Sequence, residues 1–89
     1  MGSHFRQSPE AVAQRVGDEI VLVHLKTDRI FALNGTGARI WELISESCDR
    51  AEIQKQLLEE FDVAEAQLER EIRALLEVLQ KERFIEAGT

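Results

Sequence analysis

In EIVLVHLKTDRIFALNGTGARIWELI, residues 19–44, the period of the apolar residues changes partway along the sequence. Up to Asn34, apolar side chains occur in short runs rich in β-branched residues, which is typical of strands. After Gly35 they recur about every 3.6 residues, as on an amphipathic helix. The change predicts strands followed by helices.

The residues before Asn34 are predicted to form a three-stranded meander. The turn signals Gly17-Asp18 and Thr27-Asp28 separate three β-like runs. The run 19–25 is predicted to be the middle strand, because its β-branched residues suit a buried pleated surface. The third run, 29–33, has mainly apolar side chains on both faces.

Three helices are predicted after the meander. The first ends near Glu46, and its apolar stripe contains Ile40, Trp41, Leu43 and Ile44. Asp49 with Glu52, and Asp62 with Glu65, have the spacing of capping boxes at the next two helix starts. The buried face of the second helix is predicted to hold Ile53, Leu57, Leu58 and Phe61. In the third helix, the residues predicted to face the core are Leu68, Ile72, Leu75 and Leu79. Leu76 lies on the flank of that arc, beside Glu65, Glu69 and Arg73.

The expected fold class is α+β, with a three-stranded antiparallel sheet followed by three helices that cover one sheet face. We assign residues 11–86 to one domain, with Phe84 and Ile85 packing back as a closing segment. Met1-Gly2-Ser3-His4 looks like an expression-tag remnant, so residues 1–10 are expected to be mobile and His4 to have no role.

The outer strands of a meander expose unpaired N–H and C=O groups, which natural proteins usually protect. The third run contains no Pro and no Gly, and Arg29 is its only charge. This strand is therefore predicted to be able to pair with an added strand.

Composition narrows the class of function. The 89 residues suit one compact domain, and 17 acidic against 11 basic side chains give a formal net charge of -6. This charge disfavours nucleic acid, which binds largely through Lys and Arg. The single cysteine excludes an internal disulfide, and no apolar run is long enough to span a bilayer. We expect a cytoplasmic protein that does not bind membranes.

No constellation for catalysis is found, and we expect neither enzymatic activity nor a cofactor or metal. His24 is interpreted as a packing residue of the middle strand, and Cys48 as an inert free thiol. Gly35-Thr36-Gly37 lacks the lysine and the spacing of a phosphate loop and is interpreted as a helix entry.

At residue level the chain resembles the PqqD-like family of peptide-recognition domains, also called RiPP recognition elements. The resemblance covers roughly residues 11–85 and is carried by four segments: Val21-Leu22-Val23, Asp28-Arg29-Ile30-Phe31-Ala32-Leu33-Asn34, Gly37-Ala38-Arg39-Ile40-Trp41-Glu42-Leu43, and Ile53 to Val63. With the Ala38 to Leu43 motif in this form, it is most similar to the discrete leader-binding proteins of lasso-peptide pathways.

The resemblance implies a winged helix-turn-helix-like fold in which a leader peptide adds as an antiparallel strand to the third strand. Backbone pairing would supply affinity, and pockets for alternate side chains would supply selectivity. By position, the strand contributors are Asp28, Arg29, Ile30, Phe31 and Ala32. The last helix would contribute Glu69, Ile72, Arg73 and Leu76, with Leu76 receiving an apolar anchor. Taken singly, Phe31, Ile72 and Leu76 are equally compatible with plain core positions.

Two segments depart from the family pattern: residues 45–48 have no glycine turn, and Glu82-Arg83-Phe84-Ile85 has a charge in place of a glycine. Both departures concern loop shape and lie away from the predicted groove.

The implied function is a leader-binding adaptor that presents a precursor peptide to a leader peptidase of the cysteine-protease class and to a macrocyclase. Such a protein would be a monomer or a weak dimer through its free edge. Two alternatives stay open: a PqqD-type precursor chaperone in quinone-cofactor biosynthesis, and a winged-helix DNA-binding regulator. Acidic residues outnumber basic ones on the last helix, which disfavours the regulator.

Overall fold

The computed structural model describes residues 5–46 and 49–87, and it has the predicted α+β architecture. The strands are β1 (Phe5–Gln7), β2 (Ala11–Val16), β3 (Glu19–His24), β4 (Ile30–Asn34) and β5 (Ile85–Ala87). The helices are α1 (Gly35–Ser45), α2 (Arg50–Glu60) and α3 (Glu65–Lys81). The predictions for His4 and Cys48 lie outside the described residues.

The meander forms as predicted, with antiparallel strands in the order β2-β3-β4. Its register pairs Ile20 with Leu33 and Leu22 with Phe31, so these side chains lie on one face. Ile20, Leu22 and Leu33 are buried there, whereas Ile30 on the opposite face is 69% exposed. The helices therefore cover one face of the sheet, as expected for this fold class.

A second, two-stranded sheet pairs β1 with β5. Gln7 is tied to α1 because its Nε2 donates to the Trp41 carbonyl at 3.1 Å, and the Ser8 amide donates to the Phe84 carbonyl at 2.9 Å. The sequence predicted only a mobile segment over residues 1–10 and missed β1. Three residues without apolar alternation give no strand signal, and their partner strand lies at the other end of the chain.

One of the two predicted capping boxes forms. At α2 the Glu52 amide donates to Asp49 Oδ1 at 2.8 Å, and the Asp49 amide donates to Glu52 Oε1 at 3.0 Å. The prediction of a box at Asp62 is wrong, because the N-cap of α3 is Ala64 and no side chain caps it. Extended backbone at Phe61 and Ala64 delays the helix start, so Asp62 comes two residues too early.

The core lies between the meander and the three helices. Ile53 and Leu57 of α2 are fully buried, while Leu58 and Phe61 pack partly buried against the core. Phe84, which follows α3, is also fully buried. The closing segment thus packs back on the core, as the sequence predicts.

Candidate functional site

The outer edge of β4 is the first component of the site. Among the described residues, β4 pairs only with β3, so its other side presents backbone groups without a strand partner. β2 has an equally open edge on the far side of the sheet. The feature that distinguishes β4 is the groove beside it.

This groove, about 340 Å³ in volume, lies between β4, the first turn of α1 and the middle of α3. Its lining residues are Phe31, Ala32, Leu33, Asn34, Thr36, Gly37, Ile40, Glu71 and Leu75. Phe31 and Leu75 are half-buried, so each presents part of its apolar surface to the groove. A strand added to β4 would lay alternate side chains into this space.

The rotation of α3 about its axis decides which residues face the groove. Its buried residues are Leu68, Ile72, Leu76 and Leu79. At about 100° per residue these four span an arc of about 80°. Leu75 lies about 20° beyond one side of that arc, and Glu82, Glu71 and Val78 lie successively further round on the same side.

The sequence prediction for this helix is wrong at Leu76 and only partly right at Leu75, which packs against the core but also lines the groove. Leu75, predicted for the core, is half-buried and lines the groove, whereas Leu76, predicted for the flank, is 3% exposed. With Leu75, the four core residues span an arc of about 60°, and with Leu76 they span about 80°. The apolar pattern therefore allows either leucine in the core. Packing against neighbouring elements, among them α1, α2 and β5, decides between them, and the pattern does not contain these contacts.

The remaining residues predicted on α3 do not line the groove. Ile72 is buried in the core. Glu69 and Arg73 are exposed and form an ion pair with each other, with 3.2 Å between Glu69 Oε1 and Arg73 Nη2. The structure therefore does not bring this pair together with β4. Glu71, which is not among the predicted binding residues, lines the groove instead.

The five residues predicted on the strand side lie together. Ile30, Phe31 and Ala32 belong to β4, while Asp28 and Arg29 form the end of the turn before it. Asp28 has a φ of 60°, a left-handed conformation that Asp tolerates better than most residues.

His24 organises this turn. Its Nδ1 accepts hydrogen bonds from the backbone amides of Lys26 at 3.2 Å and Thr27 at 3.3 Å, and its carbonyl accepts from the Asp28 amide at 2.8 Å. The buried ring also packs edge-on against Phe84, with 5.8 Å between ring centroids. These contacts agree with the predicted packing role and fix where β4 begins.

Two contacts connect the start of β4 with the end of α3. Arg29 Nε lies 3.4 Å from Glu82 Oε1, and the Phe31 and Phe84 ring centroids are 6.3 Å apart. Neither residue of the ion pair lines the groove. Since Arg29 is mostly exposed, the pair adds little stability, and its side chains can rearrange around a ligand.

A separate charged cluster joins α1 to α2. Arg39 donates to both carboxylate oxygens of Glu60 at 2.8 Å, and Arg39 also bonds Glu42. The Arg39 guanidinium and then the Gln56 amide lower the pKa of Glu60 from its ordinary 4.5, because both donate hydrogen bonds to the charged form. Neither Arg39 nor Glu60 lines the groove.

The described residues contain no group of three or more His, Cys, Asp or Glu side chains placed to hold a metal ion. None of their helices is long and apolar enough to cross a membrane.

The chain is similar in fold to solved structures of other proteins. A solved structure described as "TbiB1 in Complex with the TbiA(beta) Leader Peptide" is 32% identical, with a TM-score of 0.86 over 94% of this chain and 98% of that one. Another, "Lasso peptide synthetase B1 complexed with the leader peptide", is 25% identical, with a TM-score of 0.83 over 93% and 98%. No curated protein matches the chain. Residues 19–85 match the family described as "Coenzyme PQQ synthesis protein D (PqqD)". The chain therefore belongs to the PqqD family.

Proposed function

We propose that this protein binds the leader segment of a ribosomally made precursor peptide, as an added strand on β4, and presents it to separate enzymes. The observation that carries the proposal is the open edge of β4 beside the groove. It is supported by the two similar structures, both of which contain leader peptides.

The geometry of the site suits an extended peptide better than a compact ligand. Backbone groups of β4 can hydrogen-bond to any sequence, and every second side chain of an added strand would point into the groove. Phe31 and Leu75 offer an apolar surface there for a leader side chain. Affinity would come from the paired backbone and the buried anchor together.

The proposed contact residues keep the predicted strand side, from Asp28 to Ala32, because an added strand would pair with backbone there. Of these five residues, only Phe31 and Ala32 line the groove. On α3 we replace the predicted anchor Leu76 with Leu75, because a side chain that is 3% exposed offers no surface to a ligand. We replace Glu69 and Arg73 with Glu71 for the same geometrical reason: it lines the groove and they do not.

The proposed adaptor acts by binding and has no catalytic role of its own. Its partners would be a leader peptidase of the cysteine-protease class and a macrocyclase, as in lasso-peptide pathways. The family description favours one alternative, a PqqD-type chaperone that presents a different precursor in quinone-cofactor biosynthesis. The proposed site is the same in both, and only the peptide and the enzymes differ.

The test is fluorescence-polarisation binding of a labelled leader from the neighbouring precursor gene, with random duplex DNA as control. Sub-micromolar leader binding without DNA binding is expected. DNA binding without leader binding would overturn the proposal and support a winged-helix regulator. A leader of a quinone-cofactor precursor, titrated in parallel, separates the two adaptor functions.

The acidic protein should prefer a basic leader, so its affinity should fall as salt rises. The same titration at low and high ionic strength measures this. If affinity does not change with salt, the charge argument is wrong even though strand addition survives.

A further inference from the structure

We propose that Glu71 is a specificity determinant, which selects leaders with a basic side chain two residues before the apolar residue that packs on Leu75. This inference rests on the proposed function, because it concerns the peptide that binds along β4. It adds the order and spacing of the side chains that the groove selects.

Two contacts align α3 with β4. At one end, Arg29 pairs with Glu82, near the C-terminus of α3. Further along, Leu33 and Leu75 both approach Gly37. Residue numbers therefore rise along β4 as they fall along α3, and the two elements run antiparallel beside the groove.

Distances along the two elements then place Glu71 relative to the strand. Four helix residues, from Leu75 to Glu71, advance about 6 Å. Two strand residues advance about 6.6 Å. Because Leu33 lies level with Leu75, Glu71 lies level with residue 35, just beyond the end of β4. Asn34, Thr36 and Glu71 all line the groove, as this placement requires.

An antiparallel leader would enter at the level of Gly35 and leave at the level of Arg29. Its groove-facing side chains would lie opposite Gly35, Leu33 and Phe31, because alternate residues of a strand share a face. Counted from the N-terminus of the leader, the first of these side chains would lie beside Glu71, the second would pack on Leu75, and the third would lie on Phe31. The selected pattern is basic-x-apolar-x-apolar.

The charge of Glu71 is available to a ligand. Gln67 Nε2 donates to its Oε2 at 3.1 Å, but no described Lys or Arg lies within ion-pair distance of it. By contrast, Glu82 is paired with Arg29 and Glu69 with Arg73. Glu71 is thus an exposed carboxylate without a counter-charge at the mouth of an apolar groove, and a leader Lys or Arg would complement it.

The experiment selects binders from a displayed library of random 12-residue peptides on the wild-type protein, on Glu71→Lys and on Glu77→Lys. Glu77 is the matched control, because it is an exposed acid on α3 about 120° further round the helix from Glu71. We expect the wild type and Glu77→Lys to enrich Lys or Arg two residues before an apolar residue. Glu71→Lys should enrich Asp or Glu at that same position.

Binding constants of the enriched peptides complete the test. Replacing the basic residue by Glu should weaken binding to the wild type about tenfold, and Glu71→Lys should recover most of that loss. If peptides are enriched without a charge preference, or with the same preference on Glu71→Lys, the Glu71 inference is overturned while leader binding stands. If no peptide is enriched on the wild type, the proposed function itself fails.

Discussion

Leu33 of β4 and Leu75 of α3 both pack against Gly37 of α1. A methyl group on Gly37 would lie 3.5 Å from Cδ2 of Leu33 and 3.6 Å from Cδ2 of Leu75. β4, α3 and the start of α1 therefore approach one another closely at Gly37. The floor of the groove is built from all three, so a change in any one of them alters the space for a leader side chain.

Gly37→Ala should stabilise the protein and weaken leader binding. The added methyl meets its neighbours at ordinary van der Waals distance, and Gly37 lacks the positive φ that would strain a side chain. Ala within a helix is favoured over Gly by about 0.5–1 kcal/mol. The methyl would also fill part of the groove, so we expect leader affinity to fall a few-fold in the polarisation assay.

Gly35→Ala is the matched control for this substitution. Gly35 has a φ of +50°, where a side chain is strained although open space surrounds it. Urea unfolding should therefore show this variant to be less stable than the wild type. If both alanine variants were stabilised equally, the backbone conformation at Gly35 would not be the one described.

Leu75→Ala and Leu76→Ala should separate binding from stability. Leu76 is buried, so its truncation should lower the free energy of unfolding by about 2–5 kcal/mol. Leu75 is half-buried, so its truncation should cost clearly less stability and weaken leader binding about tenfold. Urea unfolding and polarisation binding on the same two variants measure both effects. The opposite result, with Leu76→Ala stable and unable to bind, would restore the assignment made from sequence.

His24→Ala should destabilise the fold by about 2 kcal/mol, because two turn amides lose their acceptor and the buried ring leaves a cavity. His24→Asn keeps a hydrogen-bond acceptor close to the position of Nδ1, so it should retain part of that stability. Equal unfolding midpoints for the two variants would show that acceptance by Nδ1 contributes nothing.

Glu60→Gln should reduce stability slightly, and the reduction should depend on pH. The pKa of Glu60 is lowered in the folded state, chiefly by Arg39, so its contribution is present above the ordinary value of 4.5. It is lost as the pH falls below 4.5 through the lowered pKa. Because both side chains of this ion pair are partly exposed, we expect the substitution to lower the free energy of unfolding by at most about 1 kcal/mol. Thermal unfolding of both proteins at pH 7 and pH 3 should show a larger difference at pH 7 than at pH 3.

The strands and helices of this chain are largely predictable, because their signals are local. The β-branched run of β3 and the capping box at Asp49 each lie within a few residues of the element they define. By contrast, β1 depends on pairing with residues 85–87, about 80 positions away. A three-residue strand that forms only through such a partner leaves no pattern in its own sequence.

Only half of the candidate site is predictable from the sequence. The strand side follows from an open edge and from the quoted resemblance, and the structure brings residues 28–32 together. The helix side depends on the rotation of α3, and Leu75 and Leu76 are chemically identical neighbours about 100° apart. Their burial is decided by packing against neighbouring elements of the fold. The resemblance, which implies Leu76, Glu69 and Arg73 for the groove, does not contain these contacts.

Amide hydrogen exchange of the 15N-labelled protein, with and without leader peptide, tests the claim that the leader pairs with the outer edge of β4. Strand addition predicts that alternate amides within residues 30–34 become protected, because every second residue of an edge strand points its N–H outward. The amides of β2, on the other edge, should exchange at unchanged rates. Protection along residues 11–16, or binding that leaves β4 unprotected, would contradict the claim.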